Sequence, residues 1–212
     1  MIFVKALLLN GSPHQHGCTY TALCEVEKAL SAEGVETEIL WIGNGAVRGC
    51  IGCHGCAKNN RRCVFTGDGV NEALDKMASC DALIVGSPVH YAAASGALTS
   101  FMDRMFYCGG STLRAKVGAC IVSARRGGTT AALDQLQKYF IIGGMPLAPS
   151  QYWPMVHGNT PEEVIRDEEG MQTMRTTGRN VAWMIKSFAA AKEQGILPPT
   201  PEAERKRTNF IR

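Results

Sequence analysis

The chain has 212 residues, 45% hydrophobic and 19% charged, a composition that excludes a disordered or fibrous chain and allows one domain with a substantial core. Its formal charge is only +3 and is scattered, which argues against nucleic acid as a partner. No apolar run approaches the length of a membrane span, so we expect a cytoplasmic protein with no membrane partner.

Residues 3–9 are continuous and apolar, as in a parallel strand buried on both faces. A helix is expected over 19–33, with Ala22, Leu23, Val26, Ala29 and Leu30 on one face and Gly34 as its stop. Residues 35–41 alternate and form the second strand. Residues 43–69 fit neither pattern and are read as an irregular insert rich in Gly and Cys. Asp68 is placed to cap a helix running to about Ser79, with Val70, Leu74 and Met77 inward. The third strand covers 82–85 and the next helix 95–106. The fourth strand covers 116–122 and is followed by a helix over 129–140. A short fifth strand is expected within 145–155. Residues 161–193 are mostly helical with a break near Gly170 and a stripe of Val181, Met184, Ile185 and Phe188. From about 197 to 212 the proline-rich tail should run extended. Strand alternating with helix gives an α/β domain over 1–212, a parallel sheet between two helical layers.

In such sheets ligands sit outside the carboxyl ends of the strands. Three of those ends are rich in Gly, Ser, Pro or Arg: Asn10-Gly11-Ser12-Pro13, the stretch from Gly86 to Tyr91, and Ser123 to Gly128. The first has neither the Gly-x-x-x-x-Gly-Lys pattern of triphosphate loops nor the Gly-x-Gly-x-x-Gly of dinucleotide sites. Ser12, Cys18, Thr19 and Thr21 around backbone amides, with no Lys or Arg in the loop, suit a single phosphate monoester such as that of FMN. An ordinary strand-to-helix turn capped by Thr19 explains the same residues. Arg125 or Arg126 is a candidate positive charge beside a reduced flavin.

Nine cysteines are unusual for a chain expected in a reducing compartment, where ligands or redox thiols are commoner than disulfides. Cys50-x2-Cys53-x2-Cys56, with Cys63 following, lets thiolates converge from one tight loop, and Gly52 and Gly55 permit its turns. A [4Fe–4S] site, a zinc site and an unmetallated thiol set all remain open on spacing alone. Cys24, Cys80 and Cys120 read as small buried hydrophobes. Cys108 sits in a Gly-rich turn without an assigned role.

Asn10-Gly11-Ser12-Pro13 together with Gly86-Ser-Pro-Val-His-Tyr-Ala-Ala-Ala-Ser-Gly-Ala-Leu-Thr-Ser-Phe-Met-Asp-Arg104 resembles the NADPH-dependent FMN reductase superfamily. The cysteine insert is similar to that of its iron–sulfur flavoprotein branch. The resemblance implies a flavodoxin-like fold, a doubly wound five-stranded parallel sheet. It implies FMN phosphate held by Ser12, His14, Cys18 and Thr19, and the ring lined by Pro88, Val89, His90 and Tyr91. Ser123, Arg125, Gly127 and Gly128 would close the other side, and Cys50, Cys53, Cys56 and Cys63 would hold the cluster. Relatives often carry Arg at the position of His14 and Asn at that of Cys18. The function expected is electron transfer between NAD(P)H or a ferredoxin-like carrier, FMN and the cluster. The alternative is an NAD(P)H-dependent FMN, quinone or nitro reductase without a cluster. We also expect a homodimer or homotetramer, with Phe210 and Ile211 of the tail buried on a neighbour, and an insert that overhangs the flavin edge of the sheet.

Overall fold

The computed structural model describes residues 3–204, 206 and 208. Strands β1 (Lys5–Asn10), β2 (Glu36–Trp41), β3 (Ala82–His90), β5 (Val117–Ala124) and β6 (Met155–His157) form a parallel sheet in the order β2-β1-β3-β5-β6. A two-residue strand, β4 (Ala93–Ala94), pairs antiparallel with the end of β3. The chain winds outward from β1 to β2 and then crosses back to β3, so a crevice opens between the carboxyl ends of β1 and β3. This is the expected flavodoxin-like doubly wound sheet, with β4 as a sixth, antiparallel addition.

The apolar strand runs work because successive side chains enter opposite layers. Leu7 and Leu9, with Leu83, Val85, Cys120 and Val122, join the core beneath α2 (Val70–Ala78), α3 (Gly96–Gly109) and α4 (Thr129–Ile142). Ala6 and Leu8, with Ile84, Ala119 and Ile121, join the core beneath α1 (Cys18–Ala32), α5 (Pro161–Arg166) and α6 (Glu168–Glu193). Where α1 and α6 cross, Gly178 is required by close approach. A Cβ there would lie 2.7 Å from the Val26 carbonyl oxygen and 2.8 Å from the Ala29 Cβ.

Several boundaries differ from the sequence expectation. The third strand continues past residue 85 to His90, because Gly86, Ser87 and Pro88 pair with Ile121, Val122 and Ser123 of β5. Pro88 is tolerated because β1 has already ended, its Asn10 standing opposite Gly86, and only one edge still needs ladder partners. The fifth strand lies at 155–157; residue 147 makes only an isolated bridge to Gly118. The break in the last helical region is at Asp167, not Gly170. Asp167 caps α6 by accepting the Gly170 N–H at 3.0 Å, and a Cβ on residue 170 would collide with that carboxylate. Of the proposed stripe, Val181 and Ile185 are buried, Met184 is half-buried and Phe188 is exposed.

Two further differences bear on function. Thr19 does not cap α1, whose N-cap is Gly17, and Asp68 does not cap α2, whose N-cap is Gly69. The helix expected to end at 106 continues to Gly109, which takes Cys108 out of a turn and onto a helix face. Among the described residues no helix is long and apolar enough to cross a membrane. Phe210 and Ile211 lie outside the described residues.

Gly178→Ala is expected to cost about 1–3 kcal/mol through overpacking against α1. The check is a lower urea midpoint at unchanged slope.

Candidate functional site

The loop after β1 is held in shape by its own polar groups. Asn10, fully buried, accepts the Ser12 N–H at 3.1 Å and donates from Nδ2 to the Gln15 carbonyl at 2.9 Å. The Ser12 hydroxyl accepts the His14 N–H at 3.1 Å, and Trp41 Nε1 donates to the Ser12 carbonyl at 2.8 Å. The Gly11 N–H bonds the Gly86 carbonyl at 2.9 Å, and a Cβ at residue 11 would come within 2.6 Å of Leu98. Glycine is needed there so that the ends of β1 and β3 can meet. No side chain caps the N-terminus of α1, which starts beside this loop.

The three candidate loops come together at this end of the sheet. The hydroxyls of Thr19 and Ser123, both buried, lie 2.8 Å apart and tie α1 to the end of β5. Gly128, with φ of 91°, packs so closely on the turn after β3 that a Cβ would meet Ala92 Cα at 2.7 Å and Val89 at 2.9 Å. That turn is a two-residue hairpin loop in which Tyr91 and Ala92 both have positive φ, 50° and 58°. Non-glycine residues rarely hold this conformation, and such strain gathers at functional sites. Pro88 and Val89 are half-buried, whereas His14, His90, Tyr91, Arg125 and Gly127 are exposed. Cys18 is half-buried, with Sγ 3.7 Å from the Gly158 carbonyl, and burial raises its thiol pKa. Trp41 escaped the sequence reading as a site residue, since its role depends on where β2 delivers the indole.

The insert builds a second, separate pocket. Cys50, Cys53, Cys56 and Cys63 line it together with Phe65, Arg104, Tyr107 and Cys108. Cys56 and Cys63 are buried at its floor, and Cys50 and Cys53 are exposed at its mouth. Positive φ at Gly52 (63°) and His54 (56°) bends the backbone between the first three cysteines. Asn71 of α2 clamps Cys63, accepting its N–H at 2.8 Å and donating to its carbonyl at 3.0 Å. Arg104 donates Nε–H to Cys63 Sγ at 3.2 Å. Burial alone would lower the Arg104 pKa, but bonds to Asp68 and Cys63 more than offset this and leave it raised. Cys108 is buried beside Cys56 and Cys63, and burial, then those neighbours, push its thiol up to about 12. Cys120 reaches about 12 from burial alone, as a core thiol should. Among the described residues no three His, Cys, Asp or Glu side chains converge tightly enough for one metal ion.

Gly49, at the start of the insert, lies beside Ser100 near the first turn of α3, where a Cβ would stand 3.8 Å from the Ser100 hydroxyl. The cysteines pack on the second half of α3, at Arg104, Tyr107 and Cys108. Tyr107 lies 11 helical steps, about 16 Å, beyond Gly96 at the start of that helix.

The model of the family described as NADPH-dependent FMN reductase matches residues 4–160. The chain belongs to this family. An iron–sulfur flavoprotein of Methanocaldococcus jannaschii is 32% identical over 192 residues, covering 86% of this chain and 98% of the relative. One from Methanosarcina thermophila is 27% identical over 188 residues, covering 86% and 96%. These matches place the chain in the iron–sulfur flavoprotein branch. Among solved structures, an archaeal flavodoxin superposes with a TM-score of 0.58 at 15% identity, covering 86% of this chain and 99% of that one. An NADH:FMN oxidoreductase gives 0.62 at 16%, covering 85% and 89%. As a member of the FMN reductase family, this protein is an FMN-dependent oxidoreductase.

Replacing Thr19 with Val leaves the buried Ser123 hydroxyl without its partner and should cost about 1–3 kcal/mol of stability. Thr19→Ser should recover most of that loss in the same urea titration.

Proposed function

We propose that this flavoprotein passes electrons between NAD(P)H or a ferredoxin-like carrier, FMN and a [4Fe–4S] cluster held by Cys50, Cys53, Cys56 and Cys63. The observation that carries this reading is that all four thiols line one pocket whose floor is braced by α2 and α3. Three thiols in immediate succession with a fourth following suit a polynuclear group better than zinc, which usually takes two separated pairs. The names of the relatives support the same assignment.

When bound, FMN supplies hydride and single-electron chemistry, and the cluster supplies single-electron chemistry. The chain's own residues bind and orient. The Ser12 loop and the uncapped first turn of α1 would take the phosphate, with His14, Cys18 and Thr19 around it. Pro88, Val89, His90 and Tyr91 would line one side of the ring. Ser123, Arg125, Gly127 and Gly128 would form the other, with Arg125 or Arg126 as the positive charge. The Gly128 contact with Val89 and Ala92 would keep the two ring loops in register. We further propose a cytoplasmic homodimer or homotetramer whose final acceptor is a small molecule or a protein carrier.

Anaerobic purification with iron and sulfide supplied tests the reading. Wild type should carry FMN, iron and acid-labile sulfide. A wild type with FMN but no iron favours the NAD(P)H-dependent FMN, quinone or nitro reductase instead, which the family match also accommodates. Cys53→Ala should abolish iron and sulfide uptake while leaving FMN bound, since the flavin loops lie elsewhere in the fold. Loss of FMN in step with iron would contradict that separation.

Ser12→Ala should weaken FMN binding by about 1–3 kcal/mol, the range for a hydrogen bond to a charged group, and riboflavin binding much less. Equal losses measured by fluorescence titration would show that the loop does not touch the phosphate.

A further inference from the structure

Arg104 is 1% exposed and is the bulkiest of the fully buried side chains. A guanidinium in such a place must satisfy all its N–H groups. Its outer nitrogens bind Asp68 through both carboxylate oxygens, and also the Phe65 carbonyl at 3.0 Å and the Arg48 carbonyl at 3.3 Å. Its cation also lies 5.5 Å from the centre of the Phe65 ring. These contacts already latch the insert to α3. The remaining Nε–H is directed elsewhere, to Cys63 Sγ at 3.2 Å. None of the other three cysteines of the insert receives a bond from a cation among the described residues.

We infer that Arg104 is a positioning residue for the cluster: its Nε–H fixes the Cys63 sulfur, and its charge raises the reduction potential from the α3 side. This rests on the cluster assignment proposed above. The physical basis is that reduction adds negative charge to the group shared by the four sulfurs. A hydrogen bond to a ligand sulfur and a buried positive charge both stabilise that reduced state. Asp68 opposes the effect, because its carboxylate partly neutralises the guanidinium. Removing the arginine charge and removing the aspartate charge should therefore move the potential in opposite directions. A latch with no electronic role would not produce such a pair of shifts.

The test is an electron-paramagnetic-resonance redox titration of the holoprotein, with the flavin potential read in the same samples as an internal control. Arg104→Gln should lower the cluster potential by at least about 59 mV, a tenfold change for a one-electron couple. The flavin potential should stay in place, and Arg104→Lys should restore part of the loss. Should Arg104→Gln fail to incorporate iron, Asp68→Asn keeps the guanidinium and should raise the potential. An iron-loaded Arg104→Gln protein at the wild-type potential, or an Asp68→Asn protein whose potential is unchanged or lower, overturns the inference. Wild-type protein without iron overturns the cluster assignment, and this inference with it. Iron in the wild type with unshifted variants overturns the inference alone.

Discussion

The close meeting of β1 and β3 at their carboxyl ends is the constraint on which the rest of the molecule depends. The Gly11 N–H reaches the Gly86 carbonyl at 2.9 Å, and no side chain fits between them. Because the strands cannot separate there, the two loops that leave them must diverge to opposite sides, and a crevice opens between them. Asn10 then uses its whole amide to shape the loop above, and Thr19 and Ser123 join the helix that follows it to β5. Preorganisation of this kind lets a cofactor bind without first ordering the polypeptide that holds it.

The cysteine pocket is built on a different principle. Its backbone is irregular, with positive φ at Gly52, His54, Asn60 and Arg61, and local hydrogen bonds among His54, Cys56, Asn59 and Arg62 shape its turn. It is fastened to the helices by Asn71 on α2 and Arg104 on α3. Both side chains grip the Cys63 end of the insert. The same arrangement divides the thiols into two buried against protein and two facing solvent, an asymmetry that no reading of their spacing contains. The cysteine pocket and the loops after β1, β3 and β5 are built from different segments of the chain.

The alternation of elements and the polarity of each strand were legible in the sequence because a strand buried on both faces must be continuously apolar, and a helix on a sheet must repeat near every 3.6 residues. The glycine- and serine-rich strand ends, the cysteine spacing and the family motif through Arg104 were legible for the same local reason: each is a property of residues adjacent in the chain. What escaped were relations between distant segments. Asp68 stands where a helix cap would, yet its carboxylate goes to Arg104, 36 residues away, because a buried guanidinium binds it more strongly than α2's first amides. Thr19 gives its hydroxyl to Ser123 rather than to its own helix. Cys108 reads as part of a turn until α3 is seen to extend beneath the cysteines. The sequence alone determined the fold and the identity of the polar and thiol groups. Only the tertiary structure decided which of them face each other, since long-range partners are chosen by packing and desolvation, neither of which has a period in the chain.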